Sequence, residues 1–413
     1  MKCRHCSSEL HLRFLDLGTA PPSNAYLTEQ ALLAPEMWFP LRILVCEQCW
    51  LVQTEDYAGR EALFTENYAY FSSFSTTWLA HAQHYVESMI LRFGLNASSI
   101  VVEVAANDGY LLQYVQQAGI PCYGIEPTAS TARAARNKGI DIVERFFGLE
   151  LAEDLRNAHK SADLIAANNV LAHVPDINDF VSGFPRLLKP QGVVTFEFPH
   201  ILSMVQGNQF DTAYHEHYSY LSLTAVQRVF AANGLTVFDV EALPTHGGSL
   251  RLFAQRSDKG AHTETFAVAA MLQMEAIAGI ATPDFYREFQ HRAEKVKDDL
   301  VLFLIEAKRE GLKVGAYGAA AKGNTLLNFA GVRPDLLPYV VDKNPSKQGK
   351  YMPGSRIPIV DETHLKVHRA DLTLILPWNL CEEVMVQLAY VREWGGEFVT
   401  AVPTLEVSKA KST

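Results

Sequence analysis

With 413 residues the chain is long enough for two or three domains at roughly 150 residues each, and its 48% apolar and 20% charged residues exclude disorder and collagen-like architecture. Lys plus Arg number 36 against 46 Asp plus Glu, a net charge of -10, which opposes a protein that holds nucleic acid by neutralising phosphates. The opening Met1-Lys2-Cys3-Arg4-His5-Cys6 has no apolar signal core, and no uninterrupted apolar run approaches ~18 residues, so a cytoplasmic protein without a membrane span is predicted.

Four of the 6 cysteines form two C-x-x-C pairs, Cys3 with Cys6 and Cys46 with Cys49. At that spacing a tight turn aims two thiolates at one metal, and four thiolates suit tetrahedral zinc with no open position, a structural ion. The competing reading is a redox dithiol, but such motifs come singly beside a βαβ pattern. Between the pairs, Leu10 to Arg42 forms an excursion carrying Pro21, Pro22 and Asn24. Cys122 and Cys381 stand alone and are expected in the core.

From Ile100 the pattern changes to strand, tight turn and helix: Ile100 to Val104, then Ala105-Ala106-Asn107-Asp108-Gly109, then Leu111, Leu112 and Val115 at helical spacing. A second strand, Cys122 to Ile125, ends at Glu126, where a carboxylate can accept from two ribose hydroxyls. Strands recur at Ile140 to Val143, Asp163 to Ala167 and Val193 to Phe198, an α/β doubly wound sheet. A dinucleotide turn needs G-x-G-x-x-G, and its first two glycine positions are here Ala105 and Asn107, which argues against a diphosphate and so against an NAD-type oxidoreductase. S-adenosylmethionine has no phosphate. Glu103, Asn107, Asp108, Glu126, Phe146 and Asn168 supply the polar groups, ribose carboxylate and stacking surface it needs, around the turn Ala105 to Gly109.

Phe210 to Tyr220 packs two histidines, two carboxylates and three tyrosines into a loop, including Tyr214-His215-Glu216-His217-Tyr218. Three readings stand side by side. A metal site through His215, Glu216 and His217 lacks the H-E-x-x-H spacing; a structural network and acid/base chemistry are the others. His173, His200 and His246 are further cleft candidates, each competing with a satisfied structural histidine.

An amphipathic helix is predicted over Tyr286 to Glu310, followed by a buried strand, Lys313 to Tyr317. Gly318-Ala319-Ala320-Ala321-Lys322-Gly323 then opens a helix, and strands recur at Tyr339 to Val341, Ile357 to Val360 and Leu372 to Leu376, a second α/β domain. That turn with Lys322, flanked by Tyr317 and Asn324, can cradle an anion, although the Walker spacing is absent. A close-packing turn with a solvated lysine is its rival. Lys343, Lys347 and Lys350 are expected in a surface loop. The resulting division is a cysteine-clamped region over 1–66, a central Rossmann-like domain over 67–260 and a C-terminal Rossmann-like domain over 261–413.

The two cysteine pairs, Glu103 to Gly109, Asn169 to Asp176, Tyr214 to Tyr218 and Gly315 to Gly323 together resemble the S-adenosylmethionine-dependent nucleotide-sugar C-methyltransferase family, over essentially the whole chain. The usual turn in that family is Glu-x-Gly-x-Asn-Asp-Gly, and Ala105 departs from its glycine. The resemblance implies a zinc-binding N-terminal domain, a class I methyltransferase domain, and a dTDP-linked 4-keto-6-deoxysugar methylated at C-3. It implies His217 as the base, Tyr214 and Glu216 as its assistants, and a tyrosine hydroxyl from Tyr68 or Tyr70. Tyr70, His173, His200, Tyr218, Tyr317, Lys322 and Asn324 are the substrate-side candidates. A monomer is expected, and an RNA-directed zinc methyltransferase is the remaining rival, disfavoured by the acidic charge.

Overall fold

The computed structural model describes residues 1–57 and 71–408; Tyr68 and Tyr70 lie outside the described residues. The N-terminal region forms an antiparallel sheet of β1 (Leu12–Ala20), β2 (Phe39–Val45) and β3 (Val52–Thr54). In β2 the side chains alternate, with Leu41, Ile43 and Val45 buried, as a half-buried strand requires. Their partners come from far along the chain: Phe14 stacks on Phe289 at 4.6 Å and meets the edge of Tyr286 at 5.7 Å. Burying one such ring stabilises by ~1.5 to 3 kcal/mol, so this sheet and the C-terminal part are held as one core.

The central sheet contains β4 (Val101–Val104), β5 (Cys122–Ile125), β6 (Ile142–Val143), β7 (Ala162–Asn168) and β8 (Leu188–Pro199). All five are mutually parallel, and β4 is buried along its whole length, as a strand covered on both faces must be. Next, β9 (Ser219–Tyr220) leaves this region and pairs with β3, completing the N-terminal sheet. Then β10 (Leu235–Leu243) and β11 (Ser249–Arg256) return, giving the order β10-β11-β8-β7-β4-β5-β6 with β11 antiparallel to both neighbours. The order reverses between β4 and β7, and the crevice above that switch point is where a ligand finds strand ends from both halves.

The helix Phe266–Ala278, which a boundary at 260 assigns to the C-terminal part, packs Val268 and Met271 into the central core. Its Glu275 is buried and accepts from the backbone of Leu223 (2.7 Å) and Thr224 (2.8 Å), capping the helix Leu223–Ala232. The chain passes into the C-terminal core at Ile280.

The last sheet orders as β14-β13-β12-β15-β16-β17, built from β12 (Val314–Tyr317), β13 (Val340–Val341), β14 (Ile359–Val360), β15 (Leu372–Ile375), β16 (Glu397–Thr400) and β17 (Glu406–Ser408). All pairs are parallel except β16 with β17, so the expected second α/β domain is present. Its switch point falls between β12 and β15. There Gly318 adopts φ +90 and a Cβ would come within 2.4 Å of Pro377, which leaves glycine as the residue that fits.

Candidate active site

A cavity of about 370 Å³ opens over the carboxyl ends of β4, β5, β7 and β8 and is closed from the far side by the turn after β12. On the central-sheet side the chain turns through three left-handed residues, Ala105 (φ 61), Asn107 (φ 48) and Gly109 (φ 76). At Gly109 the left-handed φ coincides with crowding, a Cβ lying 2.3 Å from the Ile140 side chain and 3.3 Å from that of Ala135, so glycine is the residue that fits. Glu126 grips this turn: its carboxylate accepts from the backbone N–H of Asn107 and of Thr128, each at 2.9 Å. Burial pushes the Glu126 carboxyl upward, and those two donors oppose the shift.

Ala105 sits where glycine would be unstrained. Ala105→Gly is expected to stabilise the protein by about 1 kcal/mol, the left-handed cost of alanine less the entropy glycine loses on folding. Thermal unfolding checks this: a rise of ~2 °C is expected, and a fall would contradict it.

The catalytic candidates meet on the opposite lip. The His217 ring lies 3.9 Å from Tyr214 and 4.6 Å from His173, centroid to centroid. Its Nδ1 is 2.8 Å from the Thr212 carbonyl, which can only accept, so Nδ1 carries the hydrogen and Nε2 keeps its lone pair. Burial holds this imidazole well below its usual value, with His173, Lys322 and His246 adding to the effect. Thr54 of β3 donates its hydroxyl to the His217 carbonyl at 2.6 Å, so the N-terminal sheet fixes the backbone of this histidine. Glu216 lines the cavity and accepts from Asn24 Nδ2 at 2.7 Å. The metal reading of the loop fails on direction: His215 Nε2 contacts the Pro40 carbonyl (3.2 Å), away from Glu216 and His217. Among the described residues the cysteines alone gather as a metal-ligand group.

Burial also holds His173 and His246 down, each to about 4. In the unfolded chain these three histidines regain their ordinary affinity near pH 6.5, so below that pH the unfolded state binds more protons. The histidines' share of the stability is therefore complete above pH 6.5 and falls as the pH drops toward 4, by up to ~1.4 kcal/mol per unit for each histidine, while the raised Glu126 and Asp211 carboxyls act in the opposite direction. Urea unfolding of wild type and His246→Gln from pH 7.5 to 5 isolates one histidine's share: the variant is expected to lose less stability toward pH 5, and an unchanged slope would contradict it.

The far wall carries the positive charge. Lys322 donates to Asn379 Oδ1 at 2.7 Å and lies 4.4 Å over Trp378, whose Nε1 donates to Asp211 at 2.8 Å. Burial raises the Asp211 carboxyl to about 6 and lowers Lys322, whose charge Asp211 partly sustains. Lys347, expected on a surface loop, is instead turned inward: Nζ donates to the Ala319 carbonyl at 2.9 Å and lines the cavity. Among the described residues, these two are the cationic side chains of the lining.

Eleven sequence candidates therefore meet at the cavity: Ala105, Asn107, Glu126, Phe146, Asn168, His173, Tyr214, Glu216, His217, His246 and Lys322. Others fall elsewhere for evident reasons. Glu103 and Gly109 lie beneath the turn, outside the lining, with Glu103 fully enclosed. Asp108 faces away toward Lys138 (3.4 Å). His200 is buried against Glu275 at 2.7 Å, a structural histidine. Tyr218 lies under the Arg4 guanidinium (4.9 Å), Tyr317 binds Gln387, and Asn324 is buried in the helix Ala321–Phe329. Cys122 and Cys381 are half-buried. Asn24, Trp78, Tyr110 and Lys347 enter the site without having been singled out for it. Asn24 was visible as the polar residue after Pro21-Pro22, but nothing in the sequence brought it to Glu216.

The four thiols meet at the edge of the first sheet. Cys3 and Cys49 Sγ are 3.5 Å apart, Cys6 and Cys46 3.4 Å, and all four lie within 4.8 Å with no disulfide among them. Both knuckles use one turn, with Ser7 N–H donating to Cys3 O and Trp50 N–H to Cys46 O, each followed by a left-handed residue. Four convergent sulfurs at these separations fit the edges of a tetrahedral zinc site.

A seven-stranded sheet with one reversed strand, and a switch-point cavity with a second-strand carboxylate but no phosphate-binding glycines, define a class I methyltransferase domain. Family models match in series: "Putative zinc binding domain" over residues 3–64, "Methyltransferase domain" over 78–240 and "C-methyltransferase C-terminal domain" over 244–403. C-methyltransferase NovU of Streptomyces niveus is 33% identical over 412 residues, 100% of this chain and 98% of that protein. The chain belongs to the S-adenosylmethionine-dependent C-methyltransferase family. Among solved structures, the magnesium protoporphyrin IX methyltransferase of Synechocystis covers 44% of this chain and 82% of its own at 17% identity and TM-score 0.33. An S-adenosylmethionine-dependent methyltransferase of Anabaena variabilis covers 43% and 86%, at 14% identity and TM-score 0.36. No helix among the described residues is long and apolar enough to cross a membrane.

Proposed function

We propose that the protein methylates C-3 of a dTDP-linked 4-keto-6-deoxysugar. The observation that carries the reading is His217: a half-buried, neutral imidazole with its Nε2 lone pair available, in a cavity with a ribose-type carboxylate on one wall and two lysines on the other. Bound S-adenosylmethionine supplies an electrophilic methyl on a sulfonium. On the residues' side, Glu126 accepts from the ribose hydroxyls, Asn107 and Asn168 hold the amino-acid end, and Phe146 lies against the adenine. Lys322 and Lys347 face the sugar diphosphate, the dianion that an acidic chain must pair locally.

An electrophilic methyl needs a carbon nucleophile, and a carbon beside a ketone becomes one only when its α-proton is lost. His217 Nε2 takes the C-3 proton, and the C–H electron pair moves into the enolate with charge on the C-4 oxygen. Tyr214, packed on His217, donates toward that oxygen, and Glu216 holds a sugar hydroxyl. When bound, the cofactor would supply the methyl that this carbon takes, the C–S bond electrons remaining on sulfur while the ketone re-forms. Cys3, Cys6, Cys46 and Cys49 would hold a zinc ion through four thiolates, which would leave it no open position and give it a folding role. Mass spectrometry of a panel of dTDP-4-keto sugars with S-adenosylmethionine tests the reading. A product heavier by one CH2, on carbon by NMR, is expected; exclusive O- or N-methylation, or no product from the panel, would overturn it.

A further inference from the structure

We propose that Asn24 is a positioning residue for this reaction, holding the Glu216 carboxylate in register with the acceptor, and that Tyr26 ties Asn24 to the lysine-bearing turn after β12. The inference rests on the reading of the cavity as the acceptor site. Asn24 and Glu216 both line the cavity, and the 2.7 Å hydrogen bond joins residues 192 positions apart. Two residues on, the Tyr26 hydroxyl donates to the Ala319 carbonyl at 2.6 Å and lies 3.4 Å from Asn24 Oδ1. Lys347 Nζ donates to that same carbonyl at 2.9 Å and sits 5.3 Å over the Tyr26 ring. One line of contacts thus runs from Glu216 through Asn24, Tyr26 and Ala319 to Lys347, linking the reacting end of the cavity to its cationic end.

The arm that carries Asn24 belongs mechanically to the C-terminal part. Leu27 and Tyr351 exchange backbone hydrogen bonds at 3.0 and 2.8 Å, and Gly354 N–H donates to Glu36 at 2.7 Å. Pro21 and Pro22 restrict the backbone just before Asn24. Glu216, by contrast, is on the loop that carries His217. A glutamate carboxylate swings freely about its last torsion, and an amide donor on one oxygen fixes the direction of the other. Aspartate at position 24 removes the donor and sets two carboxylates at one site, where each disfavours the ionisation of the other.

The test uses full-length enzyme loaded with metal, S-adenosylmethionine and the best dTDP-4-keto sugar of the panel, assayed from pH 6 to 9. Asn24→Ala is expected to lower kcat about ten- to a hundredfold with cofactor affinity unchanged. Asn24→Asp, a change of one functional group that the half-buried site tolerates, is expected to move the acid limb of the kcat profile upward by about one pH unit or more. Tyr26→Phe is expected to raise the acceptor KM several-fold with kcat retained. Wild-type kcat and pH profile in both Asn24 variants would overturn the proposal, and wild-type KM in Tyr26→Phe would overturn the tie. Glu216→Gln separates the two layers: wild-type turnover there defeats the reading of the site, whereas its loss beside unaffected Asn24 variants defeats only the positioning role.

Discussion

Replacing His217 by alanine is expected to cut methyl transfer at least about a hundredfold while leaving S-adenosylmethionine binding within about twofold, since a positioned general base contributes ~10² to 10⁴. The two effects separate because the cofactor-side groups, Glu126 and the Asn107 turn, are held by their own backbone hydrogen bonds and none of these passes through His217. Among the described residues the imidazole's polar tie is to the Thr212 carbonyl, a short-range contact within the loop. His217→Asn keeps an N–H for that carbonyl and removes the lone pair, so it should be as inactive as alanine. The base form is the neutral one, and burial lowers the histidine, so in the free enzyme the acid limb of kcat/KM belongs below pH 6.5. Steady-state rates with calorimetric cofactor titration check all of this, and full turnover in either variant would remove His217 from its role.

Loss of the four-thiolate site is expected to be equally severe, by a different route. Cys46→Ser should abolish stoichiometric zinc, unfold the first sheet and remove turnover, because a structural zinc site supplies ~10 kcal/mol or more of apparent folding energy. The damage should not stop there. The Thr54 backbone N–H donates to Tyr218 O at 3.1 Å and its hydroxyl to His217, while Arg4, between the first two cysteines, donates to the Pro175 carbonyl at 3.1 Å and covers the Tyr218 ring. Amide exchange over 214–220 should therefore rise sharply in the variant, while the amides of β4 and β7 stay protected. Metal analysis and hydrogen exchange measure both, and a zinc-free protein with normal exchange in that loop would refute the coupling.

The sequence carried the sheets and the cysteine cluster well, because parallel buried strands read as apolar runs and C-x-x-C is a local pattern. Ala105 to Gly109 and Gly318 to Lys322 were legible as turns for the same reason: left-handed and close-approach positions leave marks in the residues themselves. What stayed hidden depends on tertiary direction. His200 and His173 look alike in sequence, yet Glu275 takes the first out of the cleft and the cavity claims the second. Asp108 and Glu126 are both carboxylates near strand ends, and only the chain path turns one toward Lys138 and the other toward the cavity. Lys347 reads as a solvated loop lysine until the Ala319 carbonyl is seen to draw it inward. Asn24 and Glu216 have no common local signature.

The pairing of β3 with β9 also constrains the order of events during synthesis. The partner that covers the outer edge of β3 begins with Ser219, the pairing partner of Gln53 and about 166 residues after it, so at ~5 to 20 residues per second the edge waits ~8 to 33 s for it. For that interval the nascent chain presents an open strand, a template for unwanted pairing, with the two cysteine knuckles already complete. Early metal capture would hold the edge short and rigid while it waits. Supply of zinc during translation, rather than after release, should then govern how much of the newly made chain reaches the folded state.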